Sequence, residues 1–204
     1  YIFKGNPIAS LNNMTYMPGC AVEGLQRPGG GKILLEFIIA YLKQHKDEYK
    51  INKISLKDNS YIACNSCNSG LPLARLKMVT KNTTWYMNHG FTLCDPKGEP
   101  FEETQRLLNN NKKGLSVIKT KDVDFEKIIG KMKKAESKYI IDSSEFTRLY
   151  KKYDMIENFI NRLANESDKY CCLITYILEE LFHQINFEKY KLFDFYQKTY
   201  CMKL

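Results

Sequence analysis

The sequence of 204 residues predicts a mixed α/β fold over residues 1–98, followed by a mainly α-helical extension over residues 99–204. Three observations predict this division. Short apolar stretches bounded by Asn, Gly and Pro are typical of strands and occur in the first part. A longer apolar stretch of helical length separates two of them. In the second part, apolar residues recur at helical spacing from Phe146 to Leu163.

The elements of the first part alternate between strand and helix. "NPIASL" and "GCAVEGL" predict short strands, and "KILLEFIIAYLKQHK" predicts a buried helix because it is apolar on most sides. "INKISLKD" predicts a strand, and "NSYIACNSCNSG" predicts a polar loop. A helix from Pro72 to a stop at Gly90 follows, and then a strand in "FTLCD". In such an α/β order a ligand is expected at the strand ends.

The second part begins with a predicted polar loop, "GEPFEETQRLLNNNKKG", and one strand in "LSVIKT". From residue 123 onward we expect helices, including "CCLITYILEELFHQI". The aromatic side chains near the end of the chain are expected in the core or, if exposed, on a surface that docks a protein partner. They are Tyr190, Phe193, Phe195, Tyr196 and Tyr200.

The charge balance favours anionic partners. Lys and Arg number 31 against 23 Asp and Glu, which gives a net charge of +8 and an isoelectric point near 9.0. A phosphorylated cofactor, nucleic acid or an acidic protein surface would suit this charge. Nucleic acid is the weakest of the three, since the sequence has no recognition motif and its Lys clusters at 131–134 and 151–152 fit a solvated helix face.

Cysteine usage and hydropathy bear on the compartment. The seven cysteines are odd in number and irregularly spaced, which favours a reducing, intracellular and cytoplasmic location over a secreted disulfide scaffold. No uninterrupted apolar segment reaches the roughly 20 residues that a membrane span needs.

The glycine turn in "EGLQRPGGGKILLEF" is the main candidate site, although it fits neither common nucleotide loop. A P-loop needs Ser or Thr after Gly-Lys, where this chain has Ile33, and a glycine where it has Gln26. The dinucleotide pattern fails as well, because Leu34 stands where its third glycine belongs.

Anion binding by the turn does not depend on either pattern. Glycines that lead into a helix leave backbone N–H groups without intrahelical partners at the positive end of the helix dipole. Arg27 and Lys32 add positive charge on either side. The alternative is a simple tight turn between a strand and a helix.

A longer pattern around this turn resembles a known family. Residues 26–31 match Q/R-x-x-G-x-G/A, the acyl-CoA pyrophosphate loop of the GCN5-related N-acetyltransferase (GNAT) family. "TTWYMNHGF" is similar to the family's second motif, in which Tyr86 stands shortly before Gly90-Phe91. The strand in "INKISLKDNS" resembles the one between the two motifs. The resemblance covers about residues 1–95, without the family's opening strand and two helices and with a longer link before Tyr86.

The resemblance implies transfer of an acetyl group from acetyl-CoA to an amine on a protein, a peptide or a small molecule. Tyr86 would protonate the departing thiolate, unless it is a core aromatic. Glu23 would be the base, unless it is a solvated turn residue. Backbone amides would bind the pantetheine arm at Cys20, Ala21 and Val22. The remaining cofactor contacts would come from Gln26, Arg27, Pro28, Gly29, Gly30, Gly31, Lys32 and Asn59.

Two further interpretations of these residues are a protein without catalysis and a zinc site. The missing front elements and the lack of a clear interior base also fit a catalytically degenerate GNAT-fold subunit with a structural role. Separately, Cys64 and Cys67 form a C-x-x-C pair that zinc would bind if His89 and Cys94 joined it. We expect instead no metal, reduced loop thiols at this pair, and core filling by Cys171 and Cys172.

Overall fold

The computed structural model describes residues 7–12, 29–64, 67, 69–95, 97–134, 143–183 and 189–204. The strands are β1 (Ile8–Leu11), β2 (Lys53–Lys57), β3 (Tyr61–Cys64), β4 (Ser69–Pro72), β5 (Thr92–Leu93) and β6 (Thr199–Lys203). The helices are α1 (Gly30–Gln44), α2 (Lys46–Tyr49), α3 (Leu73–Lys81), α4 (Thr104–Leu115), α5 (Phe125–Lys134), α6 (Ser143–Lys152), α7 (Ile156–Ala164) and α8 (Ser167–His183). The mixed α/β class predicted from the sequence is confirmed.

The chain divides into two compact units. The first contains the described residues of 1–58, 86–101 and 197–204, and the second those of 59–85 and 102–196. The predicted division at residue 98 differs from this arrangement, because residues 59–85 belong to the second unit and the last residues of the chain return to the first. The helical region is therefore an insertion between β5 and β6 and not a C-terminal extension.

The first unit is built on a four-stranded sheet in the order β1-β2-β6-β5. β1 and β2 are parallel, with Ile8 opposite Lys53 and Leu11 opposite Leu56. A parallel pair needs a crossover connection, and α1 lies in the connection between these two strands. β6 runs antiparallel to both of its neighbours. "FTLCD" thus forms a strand as predicted, but only over two residues.

Helix α1 is buried on one face only, so the prediction of a helix buried on most sides is wrong. Leu35 and Leu42 are seven residues apart and share the buried face. Ile33, Phe37 and Tyr41 are spaced four apart on another face and are 58, 65 and 41 % exposed.

The second unit packs helices around α8 and a two-stranded β-hairpin. β3 and β4 pair antiparallel, from Tyr61 opposite Pro72 to Cys64 opposite Ser69, where the sequence predicted a loop. Ten residues of α8 are buried, including Tyr170 and Leu178, because this helix packs against α5, α7 and the hairpin. Apolar residues of α5 and α7 complete this core, among them Ile128, Met132 and Phe159.

Helix α4 occupies a segment that was predicted as a polar loop. The side-chain amide of Asn111 donates to the backbone carbonyl of Phe193 at 2.9 Å and accepts from its N–H at 2.7 Å. Gly114 lets the helix approach Tyr190, since a Cβ there would lie 2.8 Å from the Tyr190 carbonyl oxygen. Tertiary contacts made by polar and small residues thus stabilise a helix that local composition disfavours. The strand predicted in "LSVIKT" is absent from this described segment, which ends α4 and enters a 3₁₀ turn.

Across the described parts of the chain, every helix falls short of the length and apolar character that crossing a bilayer requires.

Candidate functional site

The glycine turn begins helix α1 as predicted. Gly29 has a φ of +97°, a left-handed conformation that favours glycine, and its carbonyl accepts hydrogen bonds from the N–H groups of Lys32 and Ile33 at 3.0 and 3.1 Å. The first turn contains no acidic residue, and no side chain among the described residues caps it. A Cβ added at Gly29 or Gly31 would meet nothing within 4 Å. Among the described residues, therefore, nothing covers the positive end of α1 at Gly29 and Gly31.

The second motif forms a tight turn in the same unit. The carbonyl of Tyr86 accepts from the N–H of His89 at 2.9 Å and of Phe91 at 3.3 Å, around a 3₁₀ helix at Met87–His89. Gly90 ends this turn with a φ of +85°, and a Cβ there would lie 3.2 Å from the Met202 methyl group. Two separate constraints thus favour glycine at this position.

Tyr86 does not lie on the long helix that the sequence predicted. Helix α3 ends at Lys81 because Asn82 adopts a left-handed conformation with a φ of +51°. Tyr86 follows in a separate turn. The predicted stop at Gly90 is confirmed, but it ends the 3₁₀ helix instead of α3.

A polar cluster joins helix α1 to the turn of the second motif. Oε1 of Glu36 on α1 lies 3.7 Å from Nζ of Lys32 and 3.8 Å from Nδ1 of His89. Lys32 and Glu36 are one helical turn apart, and the Lys32 side chain is 59 % exposed. The cluster places the turn of the second motif beside the helix that the glycine turn begins. From the sequence, His89 was a candidate only as a metal ligand, and no local pattern pointed to Glu36.

The Tyr86 ring belongs to the core of the first unit. It is 8 % exposed and lies between Phe91 and Tyr200, with ring centroids 6.0 and 5.9 Å away. Burial raises the pKa of Tyr86 to about 12, and the negative charge of Asp58 contributes to the shift. The hydroxyl is consequently protonated throughout the physiological range of pH.

Asp58 is a site residue that sequence analysis missed. It follows β2 directly and is completely buried. Its backbone N–H donates to the carbonyl of Lys198 at 3.0 Å, and its carbonyl accepts from the N–H of Gln197 at 2.9 Å. An acidic residue at the end of a buried strand was the available signal, because α/β ligands bind at such ends.

Several predicted residues are not part of this arrangement. Asn59 is exposed and belongs to the second unit. The remaining predicted residues of the loop and strand lie outside the described residues, namely Cys20, Ala21, Val22, Glu23, Gln26, Arg27 and Pro28.

No family model matches the chain, and neither does any curated protein or solved structure. The assignment of function therefore depends on the chemistry of the described residues.

The zinc partners proposed from the sequence belong to a different unit from the C-x-x-C pair. His89 and Cys94 belong to the first unit, whereas Cys64 and Cys67 belong to the second. Cys94 and Cys201 are buried, hydrogen-bonded thiols, and burial raises the pKa of both.

The C-x-x-C pair is joined to the other predicted pair of cysteines. Cys64 is bonded to Cys171, and Cys67 to Cys172, as two disulfides. Two predictions were therefore wrong: Cys64 and Cys67 are not reduced loop thiols, and Cys171 and Cys172 do more than fill the core. Partners more than one hundred residues apart leave no signal in local sequence.

A second polar cluster lies within the second unit. The buried guanidinium of Arg75 donates to Oδ2 of Asp194 from Nη2 at 2.8 Å and from Nε at 3.1 Å. It also lies 5.2 Å from the centroid of the Tyr196 ring, and His183 Nε2 lies 3.3 Å from the same Asp194 oxygen. These contacts hold the segment that precedes β6 against α3.

Proposed function

We propose that the chain is a GNAT-type N-acetyltransferase, which binds acetyl-CoA and transfers its acetyl group to an amine. One observation carries this proposal. The contact between Glu36 and His89 brings the helix of the glycine turn and the turn of Tyr86 and Gly90 side by side in one unit. The adjacency of α1 and this turn supports the proposal, because the resemblance needs the glycine turn and Tyr86 to serve one ligand.

The beginning of α1 suits the pyrophosphate of coenzyme A. Helix geometry leaves the N–H groups of Gly30 and Gly31 without intrahelical acceptors, whereas the N–H of Lys32 donates to the carbonyl of Gly29. Gly30 is buried, so Gly31, which is exposed and has no Cβ, is the glycine that an anion can approach closely. Lys32 offers an exposed ammonium group one turn from Glu36. An acidic side chain in this turn would repel the ligand, and the first turn has none.

The proposed reaction forms a C–N bond and breaks the C–S bond of the thioester. The acceptor amine must be neutral to attack, so a base or a water chain first removes one proton from its ammonium form. In the proposal Glu23 remains the candidate for this base. The neutral amine attacks the carbonyl carbon, the nitrogen loses a second proton, and the sulfur leaves as the thiolate and gains a proton.

In this scheme Tyr86 donates a hydrogen bond but does not give up its proton. A phenol with a pKa of about 12 is a weaker acid than an alkyl thiol, whose pKa is about 8.5. We therefore assign Tyr86 a hydrogen bond to the departing sulfur, and the proton that neutralises the thiolate comes from the nitrogen.

A second candidate function is a GNAT-type unit without catalysis, which contacts a protein partner through the helices of the second unit. The burial of Tyr86 among Phe91 and Tyr200 favours it, because a core ring needs no catalytic explanation. The two candidates differ in turnover and not in fold.

Thermal unfolding with and without acetyl-CoA tests the proposal. A ligand at a thousandfold excess over its Kd stabilises the folded state by about 4 kcal/mol, so the midpoint rises by several degrees. Release of free CoA with a panel of amines then identifies the enzyme, whereas binding without release supports the second candidate. An unchanged midpoint at millimolar acetyl-CoA contradicts the enzyme and leaves the second candidate, which contacts a partner through its helices and needs no bound acetyl-CoA.

A further inference from the structure

The second unit collects four cysteines into one buried cluster. Cys64 ends β3, Cys67 lies in the turn that follows, and Cys171 and Cys172 are adjacent on α8. The four residues are between 2 and 6 % exposed. The Sγ atoms of Cys64, Cys67 and Cys172 all lie within 4.8 Å of one another, and Cys171 is bonded to Cys64.

Local geometry directs both pairs to one point. The N–H of Cys67 donates to the carbonyl of Cys64 at 3.2 Å, which closes the C-x-x-C segment into a turn. Both members of the adjacent helical pair reach this turn, as their bonds to Cys64 and Cys67 demonstrate. The C-x-x-C pair thereby gains the second tight pair of cysteines that a tetrathiolate metal site requires.

We propose that the reduced cluster is a zinc site whose ligands are the four thiolates of Cys64, Cys67, Cys171 and Cys172. Zinc favours four sulfur ligands in a tetrahedron, with Zn–S distances of about 2.3 Å and therefore sulfurs about 3.8 Å apart. Three of the four sulfurs already lie within 4.8 Å of one another, and the fourth, that of Cys171, is bonded to Cys64, so all four thiolates are held in one cluster when the disulfides are reduced.

The two states of the cluster exchange by a balanced reaction. A dithiol donor reduces each disulfide with two electrons and two protons and itself becomes a disulfide. The four thiols that result lose four protons when they bind one Zn²⁺. Oxidation reverses both steps and releases the ion. In the oxidised state the disulfides link the hairpin of β3 and β4 to α8, and in the proposed zinc state the metal would make the same link.

This site is independent of acyl-CoA binding, since its residues all belong to the second unit. The buried thiols Cys94 and Cys201 lie in the first unit and serve as internal controls. Cys201→Ser removes one thiol without touching the cluster.

The test is a metal titration of the full chain, reduced with a phosphine under anaerobic conditions. We expect one Co²⁺ per chain, with the intense absorption of a tetrahedral thiolate complex, and displacement of Co²⁺ by Zn²⁺. The air-oxidised chain, in which the disulfides are intact, should bind neither ion. Loss of an outer-shell partner already weakens metal binding about 10–100-fold, so removal of a ligand in Cys67→Ser or Cys172→Ser should weaken it at least as much, whereas Cys201→Ser should match the wild type.

Three results would overturn the proposal. The first is that the reduced wild-type chain binds no metal. The second is that the reduced variants Cys67→Ser and Cys172→Ser bind metal with the affinity of the wild type. The third is that the oxidised chain binds metal as tightly as the reduced chain. The comparison of the two redox states uses only the wild-type chain, so it decides the matter even if the variants fail to fold.

Discussion

Nδ1 of His89 lies 3.8 Å from Oε1 of Glu36, and these residues come from the two segments on which the resemblance to acyl-CoA-binding enzymes depends. Glu36 lies on the helix that starts in the glycine turn, and His89 lies in the turn between Tyr86 and Gly90. The Glu36 side chain is about half exposed, so the pair itself contributes little to stability. Its importance is positional, because it shows that the two segments are neighbours.

Substitutions at Gly31 should affect the stability of helix α1 and the affinity for acetyl-CoA in opposite directions. Gly31→Asp places a carboxylate in the first turn of α1, where the helix dipole stabilises a negative charge by about 0.3–1 kcal/mol. The same carboxylate should repel the pyrophosphate of acetyl-CoA. We therefore expect a chain of equal or greater thermal stability whose affinity for acetyl-CoA, measured by titration calorimetry, falls at least about tenfold.

Gly31→Ala is the matched control, since a Cβ at this position meets nothing within 4 Å. It should retain more affinity than Gly31→Asp. Equal affinities for the two variants would show that the ligand does not lie at this end of the helix.

The hydroxyl of Tyr86 should make stability depend on pH in the alkaline range. Its pKa in the folded chain is about 12, above the value of about 10 for an unfolded tyrosine, so the folded state holds the proton more tightly. This contribution is fully present below pH 10 and is lost as pH rises toward 12. Denaturant unfolding should show the wild type losing about 2 kcal/mol more than Tyr86→Phe between pH 9 and pH 11.5. Parallel curves would argue against the raised pKa.

Reduction of the disulfides should destabilise the second unit. Each bond joins residues more than one hundred apart, with separations of 107 and 105. A crosslink closing a loop of that length stabilises the folded state by about 4–5 kcal/mol through the entropy of the unfolded chain, and the second adds less because the first already brings its partners together. Urea unfolding with a reductant and a chelator, compared with the oxidised chain, should show a loss of this size. A chain equally stable in both states would contradict the pairing.

Two glycines on helices should respond in opposite ways to the same substitution. Gly114→Ala in α4 sets a methyl group 2.8 Å from both the Tyr190 carbonyl oxygen and the Leu192 side chain, and should destabilise the fold by about 1–3 kcal/mol. Gly130→Ala in α5 meets nothing within 4 Å, so it should stabilise the fold by about 0.5–1 kcal/mol through helix propensity. Thermal denaturation of both variants measures the difference. A stabilised Gly114→Ala variant would mean that α4 does not approach Tyr190 closely.

Local signals predicted several elements of the first unit. β1, β2 and α1 occur where hydrophobic alternation and helical spacing placed them, because their apolar residues pack against their own sheet or helix neighbours. The glycine start of α1 and the Gly90 stop were also visible, since left-handed backbone conformations select glycine.

Distant partners explain what the sequence did not reveal. Helix α4 depends on the contact of Asn111 with Phe193, and β6 finds its place between β2 and β5 only after the helical insertion has returned the chain to the sheet. The disulfide between Cys64 and Cys171 also joins residues that are distant in sequence. Asp58 likewise comes close to Tyr86 only in the folded chain. None of these relationships has a short-range pattern.

The most direct test of the central claim is an NMR titration of the ¹⁵N-labelled chain with acetyl-CoA. If the pyrophosphate lies at the start of α1, the amide resonances of Gly30, Gly31 and Lys32 should shift and saturate together, and the same shifts should be weak or absent in Gly31→Asp. Amide resonances at α1 that remain unchanged at millimolar acetyl-CoA, while the ligand shifts other parts of the chain or none, would contradict the account.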